Sequence, residues 1–340
     1  MIKKFVGLVI LLAIATVLAL GIATWSFVRS PVVADDLTFD VPPGATGYAV
    51  VRGLVERGVI ADSPLWTPWL RLSRASRCLQ AGSHQLVSGE TPGALFRRLC
   101  RAADAPVRRV TLPEGLTIWH VADLLENEGL AQRAAFLRAV EDAALLAELH
   151  VPATSFEGYL FPDTYDFDLR AEPETIVRRL NARFAEVFAE LEAAYPAAIA
   201  ALASDFELDR HGIVTLASIV EREAAVAEER PRIAQVFLNR LKLGMPLQSD
   251  PTCVYNAIRY FETPTRDDCR DATSTYSTYV IPALPPGPIA SPGAASLRAV
   301  LEPSGESDIL YFVSMNDGSG RHAFSATLDE HNQNVRRFLR

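Results

Sequence analysis

The apolar positions of this chain fall into three patterns. The first is a continuous run from Phe5 to Trp25 without a charged residue. About 20 apolar residues carry a helix across a bilayer, so the run predicts a membrane-spanning helix over 5–28 behind a short tail, 1–4. A cleaved signal peptide is the rival reading, because Val32-Val33-Ala34 resembles a cleavage site. The apolar core of such signals is only about 7 to 15 residues, which favours the anchor. Lys3 and Lys4 precede the run and only Arg29 follows it closely. That bias places the N-terminus in the cytoplasm and everything from Ser30 onward outside.

The second pattern is a repeat. Pro43-Gly44-Ala45-Thr46, followed by Val50, Val51, Leu54 and Gly58, aligns with Glu114-Gly115-Leu116-Thr117, followed by Val121, Ala122, Leu125 and Gly129. A fainter copy begins at Gly89-Glu90-Thr91, with Leu95, Phe96 and Leu99 in the matching places. In each copy an extended apolar stretch meets a Gly turn, a Thr is placed to cap a helix, and apolar positions then recur at helical spacing. The predicted unit is strand, turn and amphipathic helix.

The third pattern is helical. Residues 131–203 read as mostly helix, with Ile176, Leu180, Phe184 and Phe188 about one turn apart on the face that packs inward. From Ile213 to Ala227 a stripe runs through Leu216, Ile219, Val220 and Val226. Glu223 lies three after Val220, four after Ile219 and seven after Leu216, so it points with that stripe toward the interior. Glu221 lies nearer Ser218 and Ala217. Pro and Gly crowd the stretch Leu284-Pro285-Pro286-Gly287-Pro288 and Ser291-Pro292-Gly293, which predicts ordered loops.

Composition narrows the function. A formal net charge of -8 argues against nucleic acid, whose partners present a basic face. Cys78, Cys100, Cys253 and Cys269 all lie on the outer side of the predicted span, where disulfides persist. Of the three possible connectivities, pairing Cys78 with Cys100 and Cys253 with Cys269 closes the shorter loops. No CxxC or closely spaced Cys/His set occurs, so neither a metal site nor a cofactor is expected. A glutamate buried on a helix face is the remaining chemical signal, because burial raises its pKa and keeps a proton available for general acid catalysis. The bland alternative for Glu221 or Glu223 is a solvated helix charge.

Several longer motifs resemble one family. Ala217-Ser218-Ile219-Val220-Glu221-Arg222-Glu223-Ala224 is similar to the signature of the endolytic murein transglycosylases, or YceG-like proteins. The resemblance continues through Glu157-Gly158-Tyr159-Leu160-Phe161-Pro162-Asp163-Thr164-Tyr165, Phe237-Leu238-Asn239-Arg240-Leu241, Leu247-Gln248-Ser249-Asp250-Pro251-Thr252 and Ser277-Thr278-Tyr279. It ends with the Pro-rich loop, Leu310-Tyr311-Phe312-Val313, and His322-Ala323-Phe324-Ser325 before His331-Asn332. Residues 37–103, which hold the first and fainter copies of the repeat, resemble a LysM-like domain. The resemblance implies an α+β fold with an N-terminal transmembrane helix, a LysM-like βα subdomain, and a mixed α+β catalytic domain over 108–340 built around a lysozyme-like catalytic helix.

The implied reaction is non-hydrolytic cleavage of the β-1,4 bond between N-acetylmuramic acid and N-acetylglucosamine, leaving 1,6-anhydromuramoyl ends and terminating nascent glycan strands. Lytic transglycosylases of lysozyme type carry the catalytic Glu in a helix reading Ile-x-x-x-Glu-Ser-x, and Ile219 to Ala224 puts Glu223 in that place. Ala224 departs from the hydroxyl residue, leaving a supporting hydrogen bond unassigned. Gln248 and Asp250 lie in a polar loop suited to sugar hydroxyl or N-acetyl groups, although Asp250 before Pro251 is also a turn former. Glu157 is expected to orient Glu223 or bind substrate, or else to be a buried ion-pair partner. Tyr276 and Tyr279 offer faces and hydroxyls suited to sugar rings, as does Tyr159, although such tyrosines are commonly core. His322 and His331 are expected to be structural or to touch substrate. The implied setting is the inner membrane, with the catalytic domain in the periplasm, peptidoglycan strands as substrate and peptidoglycan synthases (penicillin-binding proteins) as partners. Two alternatives remain: a water-using muramidase with Glu157 or Asp250 as second carboxylate, and a non-catalytic wall-binding scaffold.

Overall fold

The computed structural model describes residues 2–101, 107–256, 258–260 and 262–339, with the side chains of residues 2–10, 13 and 76 set aside. The chain divides into two compact units, Met1–Pro106 and Val107–Arg340. Among the described residues the fold is mixed α+β, with helices dominating three small two-stranded sheets.

The first unit opens with helix α1 (Ile2–Arg29). Part of the apolar run predicted as a membrane span, the side chains of residues 5–10 and 13, lies outside the described residues. Among the described residues no single helix is long and apolar enough to cross a membrane, and the apolar helical stretch is Ile14–Arg29. Val17, Leu18, Leu20, Ile22 and Trp25 all stand exposed along it. Strand β1 (Leu37–Val41), helices α2 (Gly47–Glu56) and α3 (Trp66–Ser73), strand β2 (Gly82–Leu86) and helix α4 (Pro92–Leu99) complete the unit. β1 and β2 pair antiparallel, from Leu37 opposite Leu86 to Val41 opposite Gly82. Their inward side chains, Phe39, Val41 and Leu86, meet Val50, Leu54, Trp66, Leu95, Phe96 and Leu99 in one core. Cys78 and Cys100 form a disulfide that ties the β2 approach to the end of α4.

The repeat is visible in the backbone. Thr46, Thr91 and Thr117 each cap a helix, accepting from the amides of Ala49, Ala94 and His120. The preceding Gly44, Gly89 and Gly115 have φ of 71°, 83° and 77°, a left-handed turn that other residues resist. The apolar positions aligned in the sequence are buried in every copy: Val50 and Leu54, Leu95 and Leu99, Val121 and Leu125.

In the second unit, β3 (Val107–Thr111) leads into α5 (Ile118–Asn127), then α6 (Arg133–Val140) and α7 (Ala143–Glu148). β4 (Thr164–Asp168) returns antiparallel to β3, pairing Val107 with Asp168 and Thr111 with Thr164. α8 (Pro173–Ala194) and α9 (Pro196–Phe206) follow, bent by 91° at their junction. α8 buries the predicted stripe of Ile176, Leu180, Phe184 and Phe188.

Helices α10 (Arg210–Glu223), α11 (Arg230–Lys242) and α13 (Ala294–Leu301) pack together as the centre of the unit, while the short α12 (Arg266–Cys269) lies in the long connection before α13. Strands β5 (Tyr311–Ser314) and β6 (His322–Ser325) form a hairpin, covered by α14 (Leu328–Phe338). The Pro-rich loop packs on α10: Ser218 Oγ accepts from the Ile289 amide at 3.0 Å, and His211 Nε2 donates to the Pro286 carbonyl at 2.9 Å. Gly158, at φ 79°, leaves room for Pro288 where a Cβ would collide with it.

Candidate active site

Helix α10 begins at Asp209, whose side chain accepts from the Gly212 amide at 2.9 Å. From Ile213 to Val220 every residue is buried, so the helix is enclosed on all sides rather than along one stripe. The last turn leaves the core again, and there its two glutamates part. The Glu221 carboxylate, 5% exposed, accepts from Arg230 at 2.9 Å and from the Gly293 amide at 2.9 Å. Arg230 also reaches Glu114 at 3.4 Å, and a Cβ on Gly293 would overlap the Glu114 carboxylate. Glu221 is therefore a clamp joining α10, α11, the start of α13 and the turn before α5.

Glu223 turns the other way. Its Oε1 accepts from the Ser249 hydroxyl at 2.5 Å, and the Asp250 amide also donates to the carboxyl. Burial pushes the carboxyl up to about 7, with the Asp250 charge adding to the rise; the Ser249 hydroxyl, the Asp250 amide and the Arg222 charge oppose it. The supporting hydroxyl that Ala224 lacks thus comes from Ser249, far away in sequence.

The loop carrying Ser249 is held from several directions. Arg240, buried on α11, donates to the carbonyls of Leu247 at 2.8 Å and Leu310 at 2.7 Å, and to Gln248 Oε1 at 3.3 Å. Asn239 donates to the carbonyls of Glu306 and Ile309. The Asn-Arg pair of the α11 motif therefore fastens both the 247–248 loop and the entry to β5 to one helix, and its buried donors are satisfied by carbonyls. Thr278 Oγ1 accepts from the Ser249 amide at 2.9 Å, and its carbonyl accepts from the Gln248 amide at 3.0 Å. Gln248 sits at φ 53°, a conformation that a non-Gly residue holds only when its surroundings impose it. The Cys253–Cys269 disulfide closes the next segment. Both disulfides match the pairing that closes the shorter loops.

Glu223, Gln248, Asp250, Tyr279 and His322 line one cleft of about 340 Å³. The Tyr279 hydroxyl donates to Asp250 Oδ1 at 2.6 Å. On the opposite wall, His322 at the start of β6 pairs through Nδ1 with buried Glu229 at 2.8 Å, and its amide donates to the same carboxylate. His331, on α14, also faces the cleft and stacks on Tyr311. Burial and the Arg240 charge hold it below the ordinary histidine range. A second cavity of about 620 Å³ shares Gln248, Asp250 and Tyr279 with the first.

Three of the candidate residues line neither cavity. Glu157 is 2% exposed and lines neither cavity; its Oε2 accepts from the Ile118 amide at 3.1 Å and the Tyr255 hydroxyl at 3.0 Å. It closes the first turn of α5, and no cation pairs with it among the described residues. Tyr276 packs its ring on Tyr255 at 4.5 Å and lines neither cavity. Tyr159 is core, its hydroxyl bonded to His211. Ser249 and Arg240 are the polar contributors that the sequence reading did not single out; both lie within quoted motifs, beside residues that it did.

The model of the YceG-like family matches residues 39–337, and the chain belongs to that family. It is 28% identical to a Bacillus subtilis protein named endolytic murein transglycosylase, over 91% of this chain and 87% of that one. A Streptococcus pneumoniae protein of the same name is also 28% identical, over 88% of this chain and 58% of that longer protein. A crystal structure of a yceG-like protein from Listeria monocytogenes superposes with a TM-score of 0.58 at 28% identity, covering 88% of this chain and 99% of that one.

Proposed function

We propose that this chain is an endolytic peptidoglycan lytic transglycosylase with Glu223 as its single acid/base. The observation that carries the reading is a carboxyl pushed up to about 7, held by a hydroxyl and a backbone amide, on the wall of an open polar cleft. At neutral pH a substantial fraction of Glu223 is protonated, so it can donate to the glycosidic oxygen as the C1–O bond of the muramoyl residue breaks. The resulting carboxylate then takes the proton of the muramoyl 6-hydroxyl as that oxygen bonds C1. The product is a 1,6-anhydromuramoyl end, no water is consumed, and Glu223 ends protonated as it began. Ser249 steadies the carboxyl in both states, while Gln248, Asp250, Tyr279 and His322 offer hydrogen bonds to the flanking sugars.

The remaining features fit an enzyme of nascent wall. The β1-α2-α3-β2 arrangement of the first unit supports a LysM-like glycan-binding role for residues 37–103, with 108–340 as the catalytic domain. The exposed apolar face of α1 and the uncharged run from Phe5 support anchoring in the inner membrane, with residues 1–4 cytoplasmic and both units periplasmic. Cuts made there, beside peptidoglycan synthases, end strand elongation. Asp250 keeps one rival specific: as a second carboxylate beside Glu223 it is suited to activating water, which would make the protein a muramidase. Mass spectrometry of digested peptidoglycan decides between them. Anhydro ends, lighter by one water, are expected; reducing ends would establish the muramidase, and an unchanged digest would leave only a wall-binding scaffold.

A further inference from the structure

The larger cavity beside the Glu223 cleft has no role in the chemistry above. It shares Gln248, Asp250 and Tyr279 with the cleft, and its other wall includes Pro264, Thr265, Arg266, Cys269 and Arg270, next to the Cys253–Cys269 disulfide. Arg266 and Arg270 line that wall and are exposed. Arg259 nearby is fully engaged by Asp268 and Glu262. Among the described residues, by contrast, neither Arg266 nor Arg270 has a carboxylate partner. Two guanidiniums without an ion-pair partner thus line one cavity, whose one lining carboxylate, Asp250, accepts from the Tyr279 hydroxyl. A sulfur bridge fixes their backbone at Cys269, between them.

We propose that this cavity is a subsite for the carboxylates of the peptide stems carried by muramoyl residues, with Arg266 and Arg270 as the recognising groups. The inference rests on the transglycosylase reading and adds to it the substrate form that the enzyme selects. Guanidinium presents paired donors that match a carboxylate. A glycan strand crossing the Glu223 cleft carries a stem on every second sugar, so a strand with one muramoyl residue at Glu223 brings the stem of a neighbouring residue alongside. Gln248, Asp250 and Tyr279 form the shared floor, which places the subsite next to the scissile bond. Glycan stripped of its stems keeps only the lactyl carboxylate that amide hydrolysis leaves on each muramoyl residue, and loses the stem carboxylates that the wall would engage.

The test uses the full chain, wild type and Arg266→Gln/Arg270→Gln, on peptide-bearing strands and on strands stripped of peptide by an amidase. Wild type is expected to release anhydro ends from both, with kcat/KM higher on peptide-bearing strands. The double variant is expected to lose about ten-fold on peptide-bearing strands, the size of one to two charge-assisted contacts, and to stay within about two-fold on stripped strands. Arg266→Lys/Arg270→Lys is expected to recover part of the loss, and the wild-type preference to shrink with added salt. Equal activity of the double variant and wild type on both substrates, or an equal loss on both, overturns the subsite. Release of no anhydro ends by wild type from either substrate instead overturns the transglycosylase reading itself. Both Arg residues are exposed, so folding is retained; thermal melts of each variant check it.

Discussion

Two buried carboxyls in the second unit have the same acidity and opposite surroundings. Burial raises both Glu157 and Glu223 to about 7. Glu157 is sealed behind α5 with its Oε1 unpartnered, whereas Glu223 stands on the wall of a cleft lined by hydrogen-bonding side chains. A raised pKa therefore identifies burial, and access to a reacting bond is what separates an acid catalyst from a structural group. Glu221, two residues from Glu223, has a third setting: its carboxylate is paired with Arg230.

The sharpest way to break this comparison is to exchange each carboxyl for its amide. Glu223→Gln is expected to lower release of anhydro ends by about 10³- to 10⁴-fold, because one group serves both proton transfers. Its melting temperature should stay close to that of wild type. Glu157→Gln should retain most activity, and a comparable loss there would reverse the roles assigned to the two carboxyls. Stability gives the next largest effect. A folded pKa of about 7 against an ordinary value near 4.5 means that the native state holds a proton which the unfolded chain releases. The associated stability is complete below about 4.5 and is lost as pH rises through 7, amounting to about 3 kcal/mol per group at most. Denaturant titrations at pH 5 and pH 8 are expected to show a smaller difference in Glu157→Gln than in wild type.

Glu221→Gln removes the ion pair with Arg230 but keeps an acceptor for the Gly293 amide. A cost of about 1–3 kcal/mol is expected, with kcat falling less than in Glu223→Gln; urea unfolding and strand cleavage measure the two. The smallest effects are shifts in pH profile. Activity should decline above about pH 7 as Glu223 ionises. Asp250→Asn removes a charge that raises the Glu223 pKa, so the decline should begin at lower pH. Ser249→Ala removes a hydrogen bond that lowers it, so the decline should begin at higher pH. Shifts in the same direction for both variants would contradict this account of the site.

What was legible in the sequence was local. The Thr caps at 46, 91 and 117, the Gly turns before them and the stripes behind them are set by residues within a few positions of one another. The grouping of Gln248, Asp250, Tyr279 and His322 around Glu223 followed from motifs, and the cleft contains them all. Helical periodicity alone does not single out Glu223, since α10 is buried on every side from Ile213 to Val220. Emergence of the last turn, set by the packing of α11 and α13, decides where the two glutamates go. Ser249 was illegible as a partner because only the tertiary fold closes the gap to Glu223. The partners of Glu157 were illegible for the same reason: only the tertiary fold brings the Ile118 amide and the Tyr255 hydroxyl to its carboxyl.

The Thr-capped unit has a consequence for how such a chain is assembled. Its first and fainter copies give their strands to each other, as β1 and β2, whereas the third gives β3 to β4. The same short instruction therefore works beside two different partners, because the cap and the turn are set within the unit, while the strand edge and the apolar stripe are completed by its neighbours. A segment with that property is modular: its local folding information travels with it, and the receiving edge and core are what have to adapt.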